Sequence, residues 1–406
     1  MHRRLILQSA AALTLGAGHV QLMAAAAGTP RLLIVFLRGA YDATSLLVPV
    51  SSSFYYEQRP NIAIARPDSG PDAALRLDPQ WGLHPAVADT MLPRFERGQL
   101  AFVPFTGTDD TSRSHFETQD SIELGQSLNG PRNFQSGFMN RLAQVLGASD
   151  AIAFTAQLPL ALRGAVPVPN LALNSLARPS LDVMQAQRIV GMYDGTRLAG
   201  SVQEGFAVRD DAVRAMQGTA SAAMPGGVAG EMLAASRDAI TARGFEGEAR
   251  RVARLMRERY RLGFIDVGGW DTHVGQGGAS GYLANRLNEL GKGLNAYAVE
   301  MGPAWRDSIV IVMSEFGRTF RENGNRGTDH GHGSVYWALG GAVRGGRILG
   351  EQQVPGPANL FQNRDDPVLN EYRAVLGGLF QRLYGLSGAQ VQQVFLGVVP
   401  RDIGLV

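Results

Sequence analysis

The sequence predicts an α/β fold: a doubly wound, mostly parallel sheet with helices on both faces and an inserted subregion. Three observations predict it. Near-continuous apolar runs at Arg31–Leu37, Leu262–Val267 and Ser308–Met313 have the length of single strands and lack the polar alternation of a sheet face in water. Between the last two, Leu283, Leu287, Leu290, Leu294, Tyr297 and Met301 recur every three or four residues, the spacing of one helix face. Each run also hands the chain to a polar segment containing glycine, at the strand end where open α/β sheets hold their ligands.

Taken in order, the chain opens with a leader. Residues 1–27 carry Arg3-Arg4, an apolar stretch from Leu5 to about Gly18 and a small-residue end, Ala24 to Ala27. That is the layout of an export signal, and Gln8, Ser9, Thr14 and His19 interrupt a run already too short to span a membrane. Arg-Arg-Leu-Ile-Leu resembles the twin-arginine pattern, with a general secretory signal as the alternative. The expectation is a periplasmic or extracellular protein with no membrane span after signal removal. Residues 28–406 then form one domain, with an insertion at about 134–250, where the pattern weakens and Gly218–Gly230 reads as a loop.

Within the domain, Arg31–Leu37 leads to Arg38-Gly39-Ala40-Tyr41-Asp42, and His84–Arg97 reads as a helix closed by Gly98 before a strand at Leu100–Phe105. Ala249–Arg261 is expected to be helical. Leu262–Val267 ends at Gly268-Gly269-Trp270-Asp271-Thr272-His273, and Ser308–Met313 ends at Ser314-Glu315-Phe316-Gly317-Arg318. A strand at Val335–Leu339 follows Asp329-His330-Gly331-His332, and Asp366-Pro367 opens a last helix through about Tyr384.

Composition narrows the chemistry. The formal charge of +2 comes from the two leader arginines, so the domain is close to neutral and a nucleic-acid partner is not expected. Cysteine is absent, which excludes disulfides and thiolate ligands and leaves His nitrogen and carboxylate oxygen for any metal. Asp271-Thr272-His273 and Asp329-His330-Gly331-His332 offer such donors, joined by Glu315 and by Asp42, which reads equally as an Asx turn. Ser112-Arg113-Ser114-His115 precedes a helix; Ser114 is a candidate nucleophile beside His115, while Ser114 with Glu117 also makes a capping box. Arg38 and Arg318 are candidate clamps for an anionic oxygen, and His84 before Pro85 reads as structural or capping.

Phe36-Leu37-Arg38-Gly39 with Asp42, Ser114-His115-Phe116, Asp271-Thr272-His273, Ser314 to Arg318 and Thr328-Asp329-His330-Gly331, in that order, resemble the domain of unknown function 1501 family of exported bacterial proteins. That family is similar in turn to the alkaline phosphatase and sulfatase superfamily. The resemblance implies a strand-end site for a divalent ion (Zn, Mn, Fe, Mg or Ca) and hydrolysis of a phosphate or sulfate ester, on a small molecule or a glycan. It implies that Asp42, Asp271, His273 and His330 or His332 are ligands and that Ser112 or Ser114 is the nucleophile. One departure stands out: the superfamily carries Asp-His where this chain has Glu315-Phe316, and phenylalanine cannot bind a metal. The expected ligand pool is therefore Asp42, Asp271, His273, Glu315, Asp329, His330 and His332, with Ser114 or a water activated by the metal as nucleophile. The alternative is a non-catalytic envelope or surface binding protein that retains the hydrolase fold.

Overall fold

The computed structural model describes residues 30–127, 131–148, 150–173, 183–200, 202–203, 205–206 and 235–406. The expected leader at residues 1–27 and the loop expected at Gly218–Gly230 lie outside the described residues. The strands are β1 (Arg31–Leu37), β2 (Leu47–Val48), β3 (Leu75–Arg76), β4 (Gly82–Leu83), β5 (Leu100–Gly107), β6 (Ala151–Phe154), β7 (Ile240–Thr241), β8 (Leu262–Gly268), β9 (Ser308–Ser314), β10 (Ser334–Leu339), β11 (Arg347–Ile348) and β12 (Asn370–Glu371). The helices are α1 (Ala43–Leu46), α2 (Ser53–Gln58), α3 (Leu92–Glu96), α4 (His115–Leu124), α5 (Phe138–Leu146), α6 (Val183–Met192), α7 (Phe245–Glu258), α8 (Tyr282–Met301), α9 (Tyr372–Tyr384) and α10 (Gly388–Val394).

The central sheet runs β11-β5-β10-β9-β1-β8-β6, with β12 added to β5 and β7 to β8, and only β10 opposes the common direction. A second, three-stranded sheet has the order β2-β4-β3. β1 lies between β8 and β9, and alternate residues feed opposite faces, as the two-residue repeat of a strand requires. Leu33, Val35 and Leu37 join the core beneath α7 and α8, whereas Leu32, Ile34 and Phe36 join the core beneath α5, α9 and α10. Both faces are covered, so the apolar runs read as continuous and the sheet is doubly wound. Burying a Val, Leu, Ile or Phe side chain is worth about 1.5–3 kcal/mol, so the sheet's centre cannot slip register without losing several such terms.

Two elements differ from expectation. His84–Arg97 is not one helix but a 3-10 turn, Pro85–Val87, followed by α3 with Pro93 at its start. Proline lacks the N–H a helix interior needs, so the chain restarts at Pro93 instead of running through it. The last long helix, α9, begins at Tyr372 and not at Asp366-Pro367, because Asn370 and Glu371 first pair with β5 and the Glu371 carboxylate accepts the Ala374 N–H as the helix cap. The stretch at 134–250 supplies α5, β6, β7 and the start of α7, so part of it belongs to the main sheet and core. No described helix is long and apolar enough to cross a membrane.

His84 caps the 3-10 turn: its Nδ1 accepts the Ala86 N–H at 3.0 Å, which places the ring proton on Nε2, 3.1 Å from the Gly278 carbonyl. Burial pushes this imidazole down to about 4, and a second proton would set Nδ1–H against the Ala86 N–H. The unfolded chain takes up that proton near 6.5, so stability from this group is complete above about 6.5 and is lost as pH falls toward 4. Denaturant titrations from pH 7 to 4 are expected to show His84→Asn flattening an acid loss of up to about 3 kcal/mol.

Candidate metal centre

The centre is assembled at the carboxyl ends of β9, β1 and β8, which are adjacent in the sheet. The segment after β8 brings Asp271 and His273, the segment after β9 brings Glu315 and Arg318, the first residue of α4 is His115, and the loop before β10 supplies Asp329 and His330. Close approach of these loops depends on glycine. Gly39, at φ +114°, donates its N–H to Glu315 Oε1 at 2.8 Å, and a β-carbon there would meet the Asp271 nitrogen at 2.8 Å. A β-carbon on Gly331 would meet the Arg318 carbonyl carbon at 2.4 Å.

The Nε2 atoms of His115 and His273 both lie beside His330 Nε2. His115 and His330 are 2.9 Å apart at Nε2, and His273 and His330 are 3.0 Å apart. Asp271 closes the group, with Oδ1 at 3.0 Å from His273 Nε2 and 3.6 Å from His330 Nε2, and Oδ2 at 3.7 Å from His115 Nε2. Suitably placed ligand atoms of His115, Asp271 and His330 all lie within 4.8 Å of one another.

What stands behind each ring fixes its tautomer. His115 Nδ1 faces Glu315 Oε1 at 2.8 Å, His273 Nδ1 faces Asp329 Oδ1 at 3.0 Å, and His330 Nδ1 faces the Arg113 carbonyl at 3.0 Å. All three partners only accept, so Nδ1 carries the proton in each neutral ring and Nε2 presents its lone pair until a second proton or an ion takes it. Lone pairs that close repel unless a proton or a metal ion sits among them. Ligands tetrahedral about a common ion at 2.0–2.1 Å lie about 3.3 Å from one another, and the spacings of 2.9–3.7 Å bracket that value. The residues fit a divalent ion bound through imidazole and carboxylate.

The electrostatics agree. Burial would lower the His115 pKa, but Asp271 and Glu315 pull it up to about 9; a cation is wanted at this position even when it is a proton. His273 is raised chiefly by its bond to Asp271. Burial works against ionised Glu315, yet His115 and Gln119 hold it down at about 2. Phe316 stacks on His115 with ring centroids 5.0 Å apart and lies 5.3 Å from the His330 ring. The residue that cannot bind a metal thus packs the two rings that can.

The other expected site residues are distributed differently. Glu315 and Asp329 lie behind histidines and orient them. Asp42 is not brought to the cluster: Arg59 grips it at 2.6 and 3.1 Å, and Ser45 and Gln276 donate to it at 2.7 and 2.6 Å. Burial opposes the charge, but Arg59 holds this carboxylate below its usual range. His332 also stands apart, its ring stacked on Phe361 at 4.7 Å because the Gly331 to Gly333 backbone packs under the β9 exit.

Neither expected arginine clamp is free. Arg318 is 1% exposed and bonded to Asp271 Oδ1 at 2.6 Å and to Thr328. Arg38 is 2% exposed and bonded to Asp266 at 2.6 Å, Glu123 at 2.8 Å and Gln119 at 2.9 Å, on the floor of a separate cleft of about 290 Å³. Ser114 caps α4, its hydroxyl 3.5 Å from the Glu117 N–H, and Ser112 Oγ accepts the Ser114 N–H at 3.2 Å. Sequence reasoning missed Gln119, which donates to Glu315 at 2.9 Å and lies four residues past His115 on the same helix face, a spacing that could have been read. It also missed Arg59, whose position carries no local pattern.

The sequence profile of the family described as "Protein of unknown function (DUF1501)" matches residues 29–395. The chain belongs to this family. Among solved structures, the DUF1501 chain is similar to a protein in the alkaline phosphatase superfamily from Vibrio parahaemolyticus, at 10% identity and a TM-score of 0.37, over 79% of this chain and 62% of that one. It thus spans less than two thirds of that protein's length. It is also similar to a 2-O GAG sulfatase, at 10% identity and a TM-score of 0.33, over 89% of this chain and 71% of that one. A third likeness is to the alkaline phosphatase from the Antarctic bacterium TAB5, at 10% identity and a TM-score of 0.29, over 77% and 92% of the two chains. No curated protein matches the sequence.

The engagement of Asp42 by Arg59 yields a test. Asp42→Ala strands a fully buried guanidinium, and chemical denaturation is expected to show a loss on the order of 3–5 kcal/mol. The variant should bind metal as wild type does, and a loss of metal from folded variant would place Asp42 among the ligands after all.

Proposed function

We propose that this DUF1501 protein is an exported, metal-dependent hydrolase of phosphate or sulfate esters, acting on a small molecule or a glycan. One observation carries the reading: ligand atoms of His115, Asp271 and His330 lie within 4.8 Å of one another, with His273 Nε2 3.0 Å from both His330 Nε2 and Asp271 Oδ1. The site is open on the side of His273 and His330, whose side chains are 38% and 28% exposed. A buried structural centre would be closed; an open face admits substrate.

Bound there, a divalent ion supplies a Lewis acid that polarises the ester and activates water near neutral pH. The chain's own residues do the rest. His115, Asp271 and His330 would hold the ion with His273 beside them, while Glu315, Asp329 and the Arg113 carbonyl keep the rings in the binding tautomer. Arg318 holds Asp271 in place from the buried side. Ser114 precedes His115 in the chain, half-buried, and its hydroxyl is only weakly committed to its cap. It is the candidate nucleophile, with water as the alternative. Asp42 is neutralised by Arg59, which supports a single ion per chain.

A second reading, an envelope protein that binds its ligand without turning it over, is favoured by the commitment of both Arg38 and Arg318 to internal carboxylates. With Arg38 and Arg318 so committed, the ion would carry most of an oxyanion's charge. The leader supports export by the twin-arginine route, which moves folded chains and so allows the metal to load beforehand.

Protein recovered from outside the cytoplasm is expected to lack residues 1–27 and to hold about one Zn, Mn, Fe, Mg or Ca per chain, with little metal in His330→Ala; N-terminal sequencing and elemental analysis check both. Metal-free protein from the native compartment would count against the whole reading. On a panel of phosphate and sulfate esters with added metals, His273→Ala should fall more than roughly tenfold below wild type. Equal rates would remove the assigned site, and a metal-loaded wild type inert on every ester would favour the binding protein. Ser114→Ala separates the nucleophiles, since only a serine mechanism loses turnover while keeping the metal.

A further inference from the structure

We infer that Asp365 and Arg113 form a positioning pair that sets the tautomer and aim of His330, an inference that rests on reading His330 as a metal ligand. Arg113 sits at φ +55°, in the left-handed region that residues with a β-carbon disfavour. Its carbonyl oxygen is the acceptor for His330 Nδ1 at 3.0 Å. Without that acceptor nothing behind the ring requires the proton on Nδ1, and the Nε2 lone pair is no longer assured.

The side chain of Arg113 explains how the backbone is kept there. Asp365, its carboxylate inaccessible to solvent, accepts from Nε at 3.1 Å and from Nη2 at 2.7 Å, and Gln362 accepts from Nη2 at 2.6 Å. Asp365 is itself rigid. It exchanges backbone hydrogen bonds with Phe361 at 2.8 and 3.0 Å across a turn whose Gln362 and Asn363 are also left-handed, and it forms a bridge with Thr319. Thr319 in turn ties down the ligand loop: its N–H donates to the Asp329 carbonyl at 2.9 Å, and its hydroxyl accepts the Asp329 N–H at 3.0 Å.

One anchored segment therefore fixes both the loop that carries His330 and the carbonyl that orients its ring. The same contacts consume Arg113's donors on the Asp365 side, so its task here is conformational and not the capture of an anion.

The test compares two double variants with wild type, Arg113→Gly/Asp365→Asn and Arg113→Ala/Asp365→Asn; neither leaves a buried carboxylate unpaired. Glycine adopts φ +55° freely and alanine does not. Titration with Zn²⁺ alone is expected to give the glycine variant wild-type affinity within about threefold and the alanine variant about tenfold weaker binding, because left-handed strain of that size corresponds to roughly one decade. Equal affinity in the two variants overturns the inference, since a role through the guanidinium would ignore the backbone. Ring ¹⁵N spectra of the metal-free proteins separate this from failure of the metal reading. If wild type binds no Zn²⁺ but His330 keeps its Nδ1–H in wild type and the glycine variant and loses it in the alanine variant, the pair stands and the metal reading falls. An unchanged tautomer in all three removes the pair.

Discussion

Two imidazole nitrogens, of His115 and His273, lie about 3 Å from a third, that of His330, where lone pairs repel, and the rest of the site is arranged to keep them there. An acceptor lies behind each ring and forbids the flip that would turn an N–H inward. Phe316 packs His115 and His330 from the side, and Gly39 lets the segment after β8 descend until Asp271 reaches the group. These restraints come from elements far apart in sequence but adjacent at the carboxyl ends of the central strands. That is why the site belongs to the strand order as much as to its residues.

The buried charges around the cluster sort into separate cells. Asp42 has Arg59, while Asp266 and Glu123 share Arg38. Burying such groups costs several kcal/mol per ion unless each is paired and hydrogen-bonded, and these pairs are at 2.6–2.8 Å. Gln119 links one cell to the cluster, accepting from Arg38 at 2.9 Å and donating to Glu315 at 2.9 Å. The arginines that sequence reasoning assigned to substrate are the means by which the fold tolerates its own carboxylates.

That division also explains how far the sequence could be read. β1, β8 and β9 were legible because strands buried on both faces must be apolar throughout, and α8 because its apolar stripe repeats at helical spacing. Asp271 and His273 could be picked out just beyond a strand and His330 just before one, while His115 at a helix start reads from sequence as the partner of Ser114 and not as a ligand. Which carboxylates bind and which support was not. Glu315, Asp329 and Asp42 share one chemistry and differ only in what stands opposite: a ring nitrogen for the first two, a guanidinium for the third. The helix expected at His84–Arg97 fails for a local reason, Pro93, which weighed less in the pattern than the apolar residues around it.

Charge accounting at the cluster makes the case for a divalent ion over protons alone. Asp271, Glu315 and Asp329 bring three negative charges to the neutral imidazoles, and Arg318 brings one positive charge. Asp329 is half-exposed and partly screened by water, but Asp271 and Glu315 are buried, and their attraction is strong enough to drive a proton onto His115. A single proton leaves the site with excess negative charge and still pairs only two of the three lone pairs. A divalent ion would cancel the whole deficit of two. The same count bears on substrate, because phosphate and sulfate esters are anions that this cluster would repel while empty of cations. On the proposed hydrolase reading, metal binding would precede substrate binding at this site.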